Sequence, residues 1–161
     1  MNLICDFDGT FFKNDFFEEQ FFRQAIKNPF KIIKCFYRPN WLLQIKNDLM
    51  NNYQPDYDTS FLINHHLLQW INENGMLYEK KILVSASPDA FIKKMVQPLH
   101  LFDEIYGSIH ENLKGKSKLR FIQQNIKGPF TYIGDSKDDK VIFDAAQQAF
   151  LIKRSKMVTV K

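Results

Sequence analysis

The sequence predicts an α/β fold in which a parallel sheet is flanked by helices and a block of helices is inserted after the first strand. Three observations predict it. Short continuous apolar runs, Leu3-Ile4-Cys5 and Phe130-Thr131-Tyr132-Ile133 among them, match strands buried on both faces. From about Lys81 onward such runs alternate with segments of helical spacing, the pattern of a parallel sheet covered on both sides. Between the first run and that alternation, 14–74 has few β-branched residues and repeats its apolar positions at helical spacing.

Asn14-Asp15 offers an N-cap to a first helix, whose broad apolar face is Phe16, Phe17, Phe21, Phe22, Ala25 and Ile26. Asn28-Pro29 ends it, because the residue before proline avoids the helical region. Phe30, Ile32, Ile33, Phe36 and Tyr37 predict a second helix, Arg38-Pro39-Asn40 a break, and Trp41, Leu42, Ile45 and Leu49 a third. Tyr53 to Thr59 reads as a loop before a helix from Ser60 to Asn74, with Gly75 as its C-cap. Strands are then expected at Lys81–Ser85, Glu104–Tyr106, Phe130–Ile133 and, last, Ala149–Ile152. The helices between them are expected at Pro88–Leu99, Lys116–Asn125 and Asp138–Gln148, with Pro88 in a first turn. The corresponding domains are a core of 1–13 and 75–161 and a helical cap of 14–74.

At 161 residues and 45% hydrophobic content the chain is one domain in size, or a small core with an inserted cap. No apolar run approaches the roughly 18 residues of a membrane span, and the start Met-Asn-Leu-Ile-Cys-Asp has no secretory pattern. Cys5 and Cys35 sit in apolar contexts without metal-ligand spacing, as expected of reduced thiols in a cytoplasmic protein. The net charge of +4 suits an anionic substrate or an acidic membrane surface. Scattered lysines and the absence of a zinc-finger, helix-turn-helix or RNA-binding signature argue against nucleic acid.

Two acidic clusters, Asp6-Phe7-Asp8-Gly9-Thr10 and Gly134-Asp135-Ser136-Lys137-Asp138-Asp139, each follow a predicted strand, where chemistry collects in an open α/β sheet. On an extended backbone Asp6 and Asp8 project to one side and Phe7 to the other. One carboxylate can attack an electrophile while its neighbour gives and takes a proton. Gly9 and Thr10 stand where a tight turn lets backbone N–H groups approach an anion. Carboxylates gathered this way repel unless a cation is present, and Mg²⁺, which prefers oxygen ligands and pairs with phosphate, resolves the conflict. Asp135 supplies the distant carboxylate; Asp138 and Asp139 can ligate directly or orient a bound water. Ser85, ending Ile82-Leu83-Val84-Ser85, can donate to a phosphoryl oxygen, and Lys114, before Gly115 at a helix start, can supply positive charge.

This order of pieces resembles the phosphatase branch of the haloacid dehalogenase (HAD) superfamily along essentially the whole chain. Asp6 to Thr10, Ser85, Lys114 and Gly134 to Asp139 match its four motifs in sequence. The resemblance implies a Rossmann-like core with a small helical cap. It implies Asp6 as the nucleophile of an aspartyl-phosphate and Asp8 as general acid/base. Ser85, Ala86, Gly9, Thr10 and Lys114 would hold the phosphate. Mg²⁺ would be held by Asp6, Asp135 and the main-chain carbonyl of Asp8. Asp138 stands where phosphoserine-phosphatase-like members have Asn, so Asp139 is preferred in the ligand shell. An acid at Asp8 argues against dehalogenation, since a leaving alkoxide needs a proton. Ser85-Ala86-Ser87, Leu101-Phe102-Asp103 and Asn112-Leu113-Lys114-Gly115, between Asp6–Thr10 and Gly134-Asp135-Ser136, also resemble the HAD domain fused to polyprenyl-group transferases.

The expected activity is Mg²⁺-dependent hydrolysis of a small phosphomonoester, lipid-linked ones included. The alternatives are a phosphotransferase or phosphomutase, or a non-catalytic docking module for a membrane prenyltransferase. The Phe-rich cap is expected to fill the cap–core interface, or else to line an apolar tunnel or face a membrane beside Lys27, Lys31 and Lys34. His65 and His66 are expected at the surface, Trp41 and Trp70 in the core, and the assembly as a monomer or homodimer.

Overall fold

The computed structural model describes residues 1–36, 41–50, 53 and 58–161. Tyr37, the expected break at Arg38–Asn40 and most of the Tyr53–Thr59 loop lie outside the described residues, as do the side chains of Lys31, Lys34, Cys35 and Phe36.

β1 (Asn2–Cys5) is central in a six-stranded sheet with β2 (Lys81–Pro88), β3 (Glu104–Ser108), β4 (Phe130–Gly134), β5 (Gln148–Lys153) and β6 (Lys156–Thr159). Their order is β3-β2-β1-β4-β5-β6. The first five strands run parallel; β6 closes the edge antiparallel to β5. The order reverses at β1, which places a crevice at the carboxyl ends of β1 and β4.

Strand alternation divides the core in two. Leu3, Cys5, Leu83 and Ile133 point to the face covered by α1 (Phe16–Lys27), α3 (Trp41–Met50), α4 (His65–Asn74) and α5 (Asp89–Val96). Ile4, Ile82, Val84 and Tyr132 point to the face covered by α6 (Lys116–Asn125) and α7 (Lys140–Ala145). Burial on both faces is why these strands read as continuous apolar runs. α2 (Pro29–Phe36) packs on α1 and α3.

The phenylalanines separate into two groups. Phe7, Phe11, Phe12, Phe16 and Phe91 are buried, and the Phe7 ring lies 4.9 Å from Phe12, 5.7 Å from Phe16 and 5.9 Å from Phe91. Phe22 and Phe30 face solvent. Packing against the core therefore accounts for part of the cap's phenylalanines. Asp15 caps α1, its side chain accepting from the Glu18 N–H, as the sequence predicts.

Several boundaries differ from expectation. The segment expected as one helix from Ser60 is a 3-10 turn at Ser60–Leu62, a break, and α4 from His65. The break is made by pairing: the Lys13 N–H donates to the Leu62 carbonyl (2.8 Å) and the Asn64 N–H to the Phe11 carbonyl (2.8 Å). Asn64 then caps α4 by accepting from the Leu67 N–H. Trp70 of α4 meets Phe150 of β5 at 5.3 Å, so the last helix of the expected 14–74 cap covers the sheet. Gly75 caps α4 in a right-handed conformation, with no left-handed turn.

β2 continues to Pro88, absorbing the expected first turn of α5. The expected helix from Asp138 to Gln148 is a 3-10 turn at Lys137–Asp139 followed by the short α7, because the Gln147 N–H is drawn to the Phe130 carbonyl (2.9 Å). β6 is a strand beyond the expected last one; the turn before it sets Arg154 and Ser155 at φ of 49° and 62°. His65 and His66 are exposed, and Trp41 and Trp70 are half-buried. Among the described residues no helix is long and apolar enough to cross a membrane.

Candidate active site

Asp6 follows the last residue of β1, and its N–H still donates to the Ile133 carbonyl of β4 (2.9 Å). The site floor is thereby an extension of the sheet. Asp6 Oδ1 accepts from the Phe7 N–H (2.8 Å) and its Oδ2 lies 2.9 Å from Lys118 Nζ. Phe7 is fully buried on the opposite side, as the strand geometry predicts. Lys118, on α6, is 2% exposed, lies 3.7 Å from Asp139 Oδ1 and donates to the Tyr132 hydroxyl (3.2 Å). Burial alone would push its ammonium pKa down; the attraction of Asp6 and Asp139 outweighs that and holds it above the ordinary value.

Asp6, Asp135 and Asp139 bring carboxylate oxygens within 4.8 Å of one another. Burial, followed by the charge of Asp6, raises the Asp135 pKa. Burial also raises Asp139 to about 6, against the opposing pull of Lys118. Asp139 Oδ2 is buried with no hydrogen-bond partner among the described residues. A buried oxygen left unpaired beside two further carboxylates, with one ammonium to balance them, fits an oxygen-liganded divalent cation. Thr10 donates its hydroxyl to Asp135 Oδ1 (3.2 Å) and so orients it.

Gly9 makes this approach of Asp135 feasible. It has φ of +68°, and a Cβ there would stand 2.2 Å from Asp135 Oδ2. Gly9→Ala is expected to displace Asp135 and weaken divalent-cation binding about tenfold or more, read by calorimetric titration of the purified protein with Mg²⁺.

Asp8 faces the same cavity, which has a volume of about 250 Å³. Its Oδ2 accepts from the Ser87 hydroxyl (2.6 Å) and its Oδ1 from the Phe16 N–H (3.3 Å). Burial, then repulsion from Asp15, raises its pKa to about 7 despite those two donors. Such a carboxyl can hold a proton near neutrality and release it. Ser85 is buried at the cavity wall and its oxygen accepts from the Ser87 N–H (3.0 Å), which leaves its hydroxyl hydrogen to donate elsewhere. The Ala86 carbonyl accepts from Lys46 Nζ (3.1 Å) and from the Ser108 hydroxyl (2.9 Å).

Of the residues expected here, Asp6, Asp8, Gly9, Ser85, Ala86, Lys114, Asp135 and Asp139 all line the cavity, and Thr10 lies just behind it on Asp135. Lys114, expected to supply positive charge to the phosphate, is half-exposed and pairs with the equally exposed Asp138 at 2.9 Å. Lys118, one helical turn further on, is the lysine that touches Asp6. Its signal was its spacing to Ile122 and Ile126, which places a cation on the buried face of α6. Lys46 is the other residue that sequence reasoning missed; it reaches the site from α3 and has no local signature. Ser87, part of the Ser85-Ala86-Ser87 motif, lies on β2 beside Ser85.

No family model matches the sequence. Over 156 residues, 93% of this chain, it is 29% identical to the uncharacterized protein y4nM of Sinorhizobium fredii, and it spans 29% of that protein's length. Among solved structures it is similar to a phosphoserine phosphohydrolase-like protein from Francisella tularensis, with a TM-score of 0.59 and 17% identity over 92% of this chain and 85% of that one. A HAD family hydrolase from Salmonella enterica gives 0.56 at 12% identity, over 90% of this chain and 60% of that one. A phospho-aspartyl intermediate analogue of phosphoserine phosphatase gives 0.53 at 14% identity, over 92% and 84%. The chain has the fold of the HAD phosphatases, as its motifs lead one to expect.

Proposed function

We propose that this chain is a divalent-metal-dependent phosphomonoester hydrolase that works through an aspartyl-phosphate on Asp6, with Mg²⁺ as the metal. The observation that carries the reading is the pairing of two unlike carboxyls at the end of β1. Asp6 is held against a buried ammonium, while Asp8, two residues on, is raised to about 7. A carboxylate that faces an ammonium suits the nucleophile, and a carboxyl able to hold a proton near neutrality suits the acid.

In this reaction an Asp6 oxygen attacks phosphorus and the bond from phosphorus to the leaving oxygen breaks. Asp8 gives its proton to that oxygen. The resulting Asp8 carboxylate then takes a proton from water as the water oxygen attacks phosphorus, and the bond to Asp6 breaks. Ser85 and Lys118 offer donors to the phosphoryl oxygens, and Ser87 fixes the orientation of Asp8. Asp6, Asp135 and the main-chain carbonyl of Asp8 would hold the cation, with Asp139 adjoining. When bound, it supplies positive charge against the phosphoryl group. Lys114 is assigned to the cavity mouth, and the free thiol of Cys5 agrees with a cytoplasmic setting.

The cap contributes Lys46, which is 8% exposed, lines the cavity and stands 5.3 Å from the centre of the Phe17 ring. Burial lowers its pKa, against the pull of Asp8 and Asp15. A cation that lines the cavity and donates to the Ala86 carbonyl suits a substrate with a second anionic group, whether a carboxylate or the second phosphate of a lipid-linked diphosphate. Lys46→Ala is expected to raise KM for such substrates about tenfold or more, with little change for a plain aryl phosphate.

The test of the function is phosphate release from a panel of aryl, amino-acid, sugar and prenyl phosphates, with Mg²⁺ and with EDTA. Metal-dependent release supports the proposal. Absence of release from every class, or release unaffected by EDTA, contradicts it. Delivery of phosphate to an added alcohol in preference to water would identify a transferase.

A further inference from the structure

The outer face of α1 and α2 exposes large apolar side chains that are not buried in the core. Phe22 is 62% exposed and Ile26, one turn later, 84%; across the Asn28 link, Phe30 is 75% exposed and Ile33 51%. The inner face of the same helices is satisfied: Phe16 and Ile32 are buried, and Phe17, Phe21 and Ala25 pack against the core. These two helices are therefore apolar on both sides, more than holding the cap to the core requires.

Charge singles out what could cover that face. Between Glu19 and Asp48 the chain carries Arg23, Lys27, Lys31, Lys34, Arg38 and Lys46, and no acidic residue. Six cations exceed the net charge of +4 of the whole chain, so the remainder of the sequence is net acidic. Arg23 is answered by Glu19 at 2.9 Å and Lys46 turns into the cavity. Lys27, Lys31, Lys34 and Arg38 belong to the stretch that also carries Ile26, Phe30 and Ile33. Protruding aromatic and aliphatic side chains, in a stretch whose sequence from Gln20 to Asn47 holds basic residues and no acid, match the interface of a negatively charged bilayer: apolar groups enter the acyl boundary and ammonium groups meet the headgroups.

We propose that the α1–α2 corner is a docking surface for an anionic lipid bilayer. The proposal stands apart from the catalytic reading, since none of the docking side chains is in the cavity.

The experiment is co-sedimentation of the purified protein with phosphatidylcholine vesicles and with mixed phosphatidylcholine–phosphatidylserine vesicles, at low and high salt. Two variants accompany it, Ile26→Ser/Phe30→Ser and Lys27→Glu, checked for folding by circular dichroism and thermal melting. The wild-type protein is expected to bind the mixed vesicles at least about tenfold more tightly than the neutral ones, and the double serine variant to lose about tenfold or more of that affinity. Lys27→Glu is expected to weaken binding and flatten its salt dependence. Absence of binding to the mixed vesicles would overturn the proposal, as would equal binding to both vesicle types or full binding by the double variant. Capture by an acidic peptide without binding to vesicles would overturn it in favour of a protein partner.

Discussion

The Asp6→Asn protein is expected to release phosphate at least about 10⁴-fold more slowly than wild type on any substrate that wild type turns over, because the oxygen proposed to form the bond to phosphorus is gone. The substitution is nearly isosteric. The remaining carbonyl oxygen can still accept from the Phe7 N–H, which Asp6 Oδ1 does at 2.8 Å. The difference falls on the other side: an amide NH₂ would face Lys118 Nζ, donor against donor, at a position where the carboxylate stood 2.9 Å away. Some loss of stability is therefore expected along with the loss of turnover. A thermal melt run beside the phosphate assay separates the two, since a folded but inactive protein assigns the chemistry to Asp6. Activity within tenfold of wild type would remove Asp6 as nucleophile.

Lys118→Met is expected to lower turnover about 10²- to 10³-fold, the usual loss when one donor to a developing oxyanion is removed. Methionine keeps the length of the side chain and its packing beside Tyr132. It also leaves Asp6 and the buried Asp139 without their shared cation. Removing one partner of a buried ion pair destabilises by about 3–5 kcal/mol, so the melting temperature should fall as well and should partly recover when Mg²⁺ is added. Lys114→Ala provides the contrast. Its pair with Asp138 is solvent-exposed, and such pairs contribute little, so activity within about tenfold of wild type is expected. The opposite ranking of the two lysines, measured as kcat on one substrate, would give the proposed catalytic charge to Lys114 instead.

The difference between those lysines shows what local sequence does and does not specify. β1 and β4 were legible because strands buried on both faces must be continuously apolar, and the carboxylates that follow them inherit their position from the sheet. α1 and α6 were legible from a capping side chain and from apolar spacing. The choice among Lys114, Lys116 and Lys118 depends on how α6 is rotated against β4, a tertiary quantity, and only Lys118 sits on the buried side. Lys46 was hidden for a related reason: it arrives from α3, and nothing in its neighbours marks it.

The remaining misreadings also trace to long-range pairing. α4 begins late because the Phe11–Lys13 segment captures the backbone ahead of it. β6 was not anticipated, since its face is largely exposed and its turn uses Arg154 and Ser155 where glycine or asparagine would have announced a hairpin.

The most direct measurement of the central claim is mass spectrometry of acid-quenched protein after brief incubation with Mg²⁺ and a phosphomonoester that it hydrolyses. The expected result is a population heavier by one phosphoryl group, with the added mass on the peptide containing Asp6, accumulating in Asp8→Asn and absent in Asp6→Asn. A phosphoryl group found on another residue, or turnover that continues in Asp6→Asn with no modified protein at any time, would contradict it.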